Sequence, residues 1–155
     1  MTRDNVASEI ETLVRQVKGR YEQLVLVVGP AGSGITEALR QVERSTGYPY
    51  VSLGLDLSQR LLEIPARRRP FQASRAVESI VEDRHSEVVF LDNLELLFDR
   101  SLHLNPLSSL RKLSRSRVIV AAWPGSTDGT WITYAAPGHR EYRRELLEQT
   151  LVTRT

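Results

Sequence analysis

Apolar residues along this chain follow two periods in alternation. Val6, Ile10, Leu13, Val14 and Val17 recur at helical spacing, with Asp4 or Asn5 available as a cap, and predict an amphipathic helix over residues 5–18. The period then collapses into an unbroken β-branched and aliphatic run, Gln23-Leu24-Val25-Leu26-Val27-Val28, the signature of a strand buried on both faces. A helix over 35–45 closed by Gly47, a strand from Pro49 to Leu53, a short helix from Leu57 to Ile64 closed by Pro65, and a helix from Phe71 to Asp83 follow. Val88 to Asp92 reads as a second central strand that ends in a carboxylate. Residues 106–114 predict a helix, Arg117 to Ala122 a strand, Trp131 to Tyr134 a short strand, and 138–150 a C-terminal helix.

Strands alternating with helices predict an α/β fold around a mainly parallel sheet with right-handed crossovers. Residues 123–130 are too few for a helical crossover, so the Trp131 strand is expected to fold back antiparallel. At 155 residues the chain fits one domain, with residues 1–20 as an N-terminal helical segment and 123–155 as a short strand plus a C-terminal helix.

Composition narrows the function classes. With no cysteine, disulfides, Cys-ligated zinc, iron–sulfur clusters and thiol catalysis are excluded. His85, His103 and His139 have no metal-ligand spacing. No apolar run is long enough to span a membrane and Met1 to Asp4 open no signal sequence, so a cytoplasmic address is expected. The formal charge is +2, split as +3 over residues 1–77 and −1 over 78–155, too even to imply nucleic acid by charge alone. The basic residues are nearly all Arg, with Lys18 and Lys112 the exceptions.

The chemistry-bearing segment is Gly29-Pro30-Ala31-Gly32-Ser33-Gly34-Ile35-Thr36, placed between an apolar strand and a helix. Glycines let successive backbone N–H groups converge on an anion, and the following helix N-terminus adds its positive dipole end. This is the spacing and context of a P-loop, which makes ATP and Mg²⁺ the expected ligands, held by residues 29–36, with the Thr36 hydroxyl on the metal. The P-loop lysine position is occupied by Ile35, so hydrolysis is expected to be weak or absent.

Val88-Val89-Phe90-Leu91-Asp92-Asn93 supplies a Walker B strand, with Asp92 reaching Mg²⁺ directly or through water. Asp92 and Asn93 are the catalytic candidates; an amide at Asn93 orients water without accepting its proton. Glu95 reads either as a substitute base or as a helix-opening acid. Arg67-Arg68-Arg69, between Pro65 and Pro70, predicts an exposed loop that is either solvated or in contact with nucleic-acid phosphates or an acidic partner. Arg111, Arg115 and Arg117 read either as reaching a nucleotide across a subunit boundary or as pairing with Asp99 or Glu95. His139 is expected to open the last helix, and Trp123 and Trp131 to pack in the core or at an interface.

Beyond the loop at 29–36, three segments carry a family resemblance: Leu91-Asp92-Asn93-Leu94-Glu95-Leu96-Leu97-Phe98, Val118-Ile119-Val120-Ala121-Ala122-Trp123-Pro124-Gly125, and Thr133-Tyr134-Ala135-Ala136-Pro137-Gly138-His139. With these the chain resembles BrxF, a small P-loop protein of BREX phage-defence systems, from about residue 20 onward. The resemblance implies a three-layer P-loop NTPase core of the ASCE or AAA-like kind without a helical lid. In that core the strand at 117–122 lies between the P-loop and Walker B strands, giving the order 2-3-4-1. It implies a nucleotide-binding subunit of a bacterial defence complex, working beside a larger ATPase and a DNA methyltransferase. Self-association is compatible with it, and any DNA contact would be indirect or weak. The alternative is a non-catalytic interaction module that docks such a larger protein.

Overall fold

The computed structural model describes residues 3–155, so Met1 and Thr2 of the N-terminal segment lie outside the described residues. In chain order the elements are α1 (Arg3–Val17), β1 (Leu24–Gly29), α2 (Ile35–Thr46), β2 (Tyr50–Ser52), α3 (Leu53–Leu62), α4 (Arg69–Glu82), β3 (Val88–Asp92), α5 (Pro106–Leu113), β4 (Val118–Pro124), β5 (Ser126–Thr127), β6 (Trp131–Tyr134), β7 (Arg143–Leu146) and β8 (Leu151–Arg154). Short 3₁₀ turns at Ala66–Arg68, Glu95–Phe98 and Arg100–Leu102 join them.

The chain is an α/β protein built on a five-stranded, wholly parallel sheet in the order β2-β3-β4-β1-β8. The expected order 2-3-4-1 is present, extended by β8 beyond β1. The apolar runs are continuous because the central strands are covered on both faces: Leu24, Leu26 and Val28 of β1 pack beneath α3, α4 and α5, while Val25 and Val27 pack beneath α1 and α2. Every residue of β1 and β3 is buried. No helix among the described residues is long and apolar enough to cross a membrane.

Four sequence expectations need correction. Asp4 and Asn5 lie inside α1, not before it. The helix expected from Leu57 begins at Leu53 and carries Gly54 in its first turn. A side chain at Gly54 would meet the Asn93 carbonyl oxygen at 2.8 Å, so the glycine marks close packing of α3 against the end of β3. The cluster at Arg67–Arg69 is a 3₁₀ turn running into α4, and Arg69 is structural: its Nε donates to the Leu61 and Ile64 carbonyls at 2.9 and 3.0 Å.

The largest departure is at 138–150, where no helix forms. Arg, Glu and Leu favour helix intrinsically, but this stretch has no apolar stripe to bury, and tertiary pairing outweighs propensity. Residues Arg143–Leu146 pair antiparallel with β6, which itself folds back on β5 as its short connection requires, forming a second, three-stranded sheet. The Arg144 guanidinium covers the Trp131 ring at 3.7 Å. The chain then returns as β8 along the outer edge of β1, which would otherwise stand unpaired. His139 accordingly sits in a turn, where its Nδ1 accepts from the Glu141 N–H at 3.0 Å.

Trp123 fastens the small sheet to the large one. It is wholly buried, donates its indole N–H to the Thr133 carbonyl at 3.0 Å, and meets Phe98 edge-on; Phe98 in turn stacks on Tyr134 at 3.7 Å. It is therefore a core residue and offers nothing to an interface, and removing it would cost about 3–5 kcal/mol.

Candidate functional site

The carboxyl ends of β1, β3 and β4 lie side by side, Gly29 against Pro124 and Leu91 against Ala121, and the crevice of an open parallel sheet falls at this edge. The glycine-rich loop turns out of β1 through Gly32 (φ +81°) and Gly34 (φ +93°), both in the left-handed region that favours glycine. Gly34 is the N-cap of α2 and offers no side chain, so the first N–H groups of that helix face the loop without a side-chain cap. A side chain at Gly29 would run into the hydroxyls of Ser33 and Thr155, the latter brought there by β8. The Ser33 hydroxyl oxygen is buried with no hydrogen-bond partner among the described residues.

Thr36 and Asp92, 56 residues apart in sequence, meet at this end. The Thr36 hydroxyl donates to Asp92 Oδ2 at 2.6 Å, and the Asn93 N–H donates to Oδ1 at 2.9 Å. A third donor, unforeseen from sequence, is the Tyr50 hydroxyl, also 2.6 Å from Oδ2. Asp92 is only 5% exposed, and these donors offset the cost of burying its carboxylate. Burial, and then the bond to Asp92, push the Tyr50 phenol above its ordinary value, so it stays a neutral donor. The Arg40 guanidinium lies over the Tyr50 ring at 3.7 Å, tying β2 to the second turn of α2.

Asn93 adopts φ +57°, a left-handed conformation that Asn tolerates. Its amide nitrogen donates to the Ser52 hydroxyl at 2.8 Å, which directs the NH₂ group toward the end of β2. Glu95 opens the 3₁₀ turn after β3 and is exposed at the cavity wall. Ile35 faces inward, 8% exposed, among the side chains between α1, α2 and the sheet.

The loop and the strand ends enclose a cavity of about 190 Å³. Glu37, Asp92, Asn93 and Glu95 line it together with residues 29–36 and the end of β4, and the lining contains neither Lys nor Arg. The other candidate arginines lie elsewhere. Arg111 donates to the Leu146 and Leu147 carbonyls, each at 3.0 Å; Arg115 pairs with Glu22 at 3.4 Å; Arg117 donates to the Ser86 carbonyl at 3.3 Å. None pairs with Asp99 or Glu95 among the described residues; Arg111 instead secures the connection between β7 and β8.

The donor set fits a small hard cation: a hydroxyl and a carboxylate, both oxygen ligands, converge at a helix N-terminus. The loop's polar groups, the unpartnered Ser33 hydroxyl among them, fit an anion. Ile35 and the acidic lining do not supply the positive charge that would balance a polyphosphate.

No protein-family model matches this chain, and no curated protein matches it. A solved structure described as "Structure of C. elegans PCH-2" overlaps 98% of this chain and 42% of that one, at 14% identity and a TM-score of 0.49. This chain thus spans less than half of that one, and the overlap is too loose to bear on fold or function.

Proposed function

We propose that this chain is a P-loop, AAA-like nucleotide-binding subunit of the BrxF kind, serving a bacterial anti-phage defence complex of the BREX type. The observation that carries the nucleotide reading is the Thr36–Asp92 hydrogen bond of 2.6 Å, which joins the helix behind the glycine-rich loop to a strand-end carboxylate. In this reading the backbone of residues 29–34 and the Ser33 hydroxyl hold phosphate oxygens, and Thr36 and Asp92 hold Mg²⁺. Bound Mg²⁺ supplies the positive charge against the phosphates. The cavity of about 190 Å³ is below the roughly 300–1,000 Å³ of sites that enclose a whole ligand, so it suits the phosphates and leaves the nucleoside outside.

Hydrolysis is weak or absent in this proposal, because Ile35 stands where a lysine would balance the phosphates and Asn93 cannot take a proton from water. Residues 123–130 contain no arginine, so transition-state charge stabilisation would have to come from a second copy or from a larger defence ATPase. A non-catalytic docking module is the second reading, and the inward-facing Ile35 and cation-free lining favour it. Calorimetry separates the two. Binding of MgATP by the chain carrying Ile35→Lys, lost when EDTA replaces Mg²⁺, supports the nucleotide reading; no binding by either form leaves the docking module.

A further inference from the structure

Most arginines of this chain are engaged: Arg60 with Asp83, Arg84 with Asp56, Arg69, Arg100 and Arg111 with backbone carbonyls, Arg144 over Trp131. The guanidinium groups of Arg67, Arg68 and Arg75 belong to exposed residues and have no hydrogen bond or ion pair among the described residues. Phe71, 86% exposed, lies between them in the chain, and Leu62, 79% exposed, ends α3 shortly before. No acidic residue occurs between Glu63 and Glu78.

The arrangement is regular. Phe71 and Arg75 are four residues apart on α4, and Arg67 and Arg68 precede Phe71 by four and three through the 3₁₀ turn that leads into the helix. At 1.5 Å per residue, Phe71 and Arg75 stand about 6 Å apart along one face of α4, and the 3₁₀ turn places Arg67 and Arg68 just ahead of that helix. Arg69, tied to Leu61 and Ile64, fixes this turn against α3, so the stripe stands on ordered backbone.

We infer that this face binds single-stranded nucleic acid, with Arg67, Arg68 and Arg75 on phosphates and a base stacked on Phe71. Every base offers a π-face and every nucleotide a charge, so such a stripe needs no sequence preference. Charge on this face outweighs apolar area: one ring and one leucine fall far short of the roughly 1,200 Å² that a stable protein interface buries. That balance favours a polyanion with flat bases over an acidic polypeptide. The inference does not depend on the nucleotide reading of the loop site.

The test is fluorescence anisotropy of a labelled oligo-dT of about 20 nucleotides with the full chain between about 50 and 200 mM salt. Three phosphate contacts predict a log K against log salt slope of about −2, and each of Arg67→Ala, Arg68→Ala and Arg75→Ala should flatten it by about 0.7. Phe71→Ala should weaken binding roughly tenfold at unchanged slope. Arg44→Ala, an exposed arginine at the far end of α2, should change neither. Circular dichroism checks that each variant is folded. Three results would each overturn the inference: no binding at the lowest salt, a blunt duplex of equal length binding as tightly and indifferent to Phe71→Ala, or displacement of the oligonucleotide by polyglutamate at equal charge.

Discussion

The carboxylate side and the loop side of the crevice are built to different standards. On the carboxylate side Asp92 is buried and its two oxygens accept from Thr36, Tyr50 and the Asn93 N–H. On the loop side the glycine geometry is complete, yet the Ser33 hydroxyl lacks a partner and Ile35 turns into the core. The carboxylate half is satisfied by the protein's own donors, whereas the loop half has backbone and no positive charge. In the proposed nucleotide reading, such a site would take polyphosphate only with its own divalent ion, and at lower affinity than a lysine-bearing loop.

Restoring the missing charge should give the largest effect. A lysine about 4 Å from a phosphate charge contributes around 4 kcal/mol at an effective dielectric near 20, before its own desolvation. If half survives, Ile35→Lys tightens MgATP about thirtyfold in calorimetry. Equal affinity in the two forms would show that the loop side was never short of charge, and the contrast between the two sides would disappear. Removing the carboxylate comes next. In the Ile35→Lys background, Asp92→Asn should cost about tenfold of the Mg²⁺-dependent affinity with the circular dichroism spectrum unchanged. Loss of the folded spectrum would instead mark Asp92 as a purely structural anchor.

Tyr50→Phe probes the same side without touching a metal ligand. It removes one donor to a buried carboxylate that retains two others, so a loss of about 1 kcal/mol is expected, read as a lower urea midpoint at constant m-value. A neutral result would mean that Thr36 and the Asn93 N–H already suffice, and that Tyr50 is held by Arg40 alone.

How much of this was legible follows from where each signal resides. The strands β1, β3 and β4 could be read because burial on both faces turns a strand into a continuous apolar run. The loop and Thr36 could be read because their chemistry is local in sequence. Tyr50 could not, since its place beside Asp92 depends on the lateral register of β2 against β3, in which Tyr50 stands opposite Phe90 and Ser52 opposite Asp92. The same register hides the use of the Asn93 amide on Ser52. The error at 138–150 has the opposite origin: a locally helix-favouring composition was overruled by partners on distant elements, β6, Leu104 and Trp131. Sequence carried what local periodicity and local chemistry encode, and missed what lateral pairing decides.

The smallest effect comes from a carboxylate just downstream of β3. Asp99 caps the 3₁₀ turn Arg100–Leu102, accepting from the Ser101 hydroxyl at 2.7 Å and its N–H at 2.9 Å. These bonds, the hydroxyl first, hold its carboxyl below the usual aspartate range. A carboxyl depressed in the folded state contributes stability that is present above its unfolded value, near 3.9, and is lost as pH falls through the lower folded value. Asp99→Asn should therefore lower the melting temperature slightly at pH 6, and the gap to wild type should narrow as pH falls through the depressed folded value, where the wild-type group takes up its own proton. A gap that stays the same size into the acid range would show that Asp99 acts by packing rather than by charge.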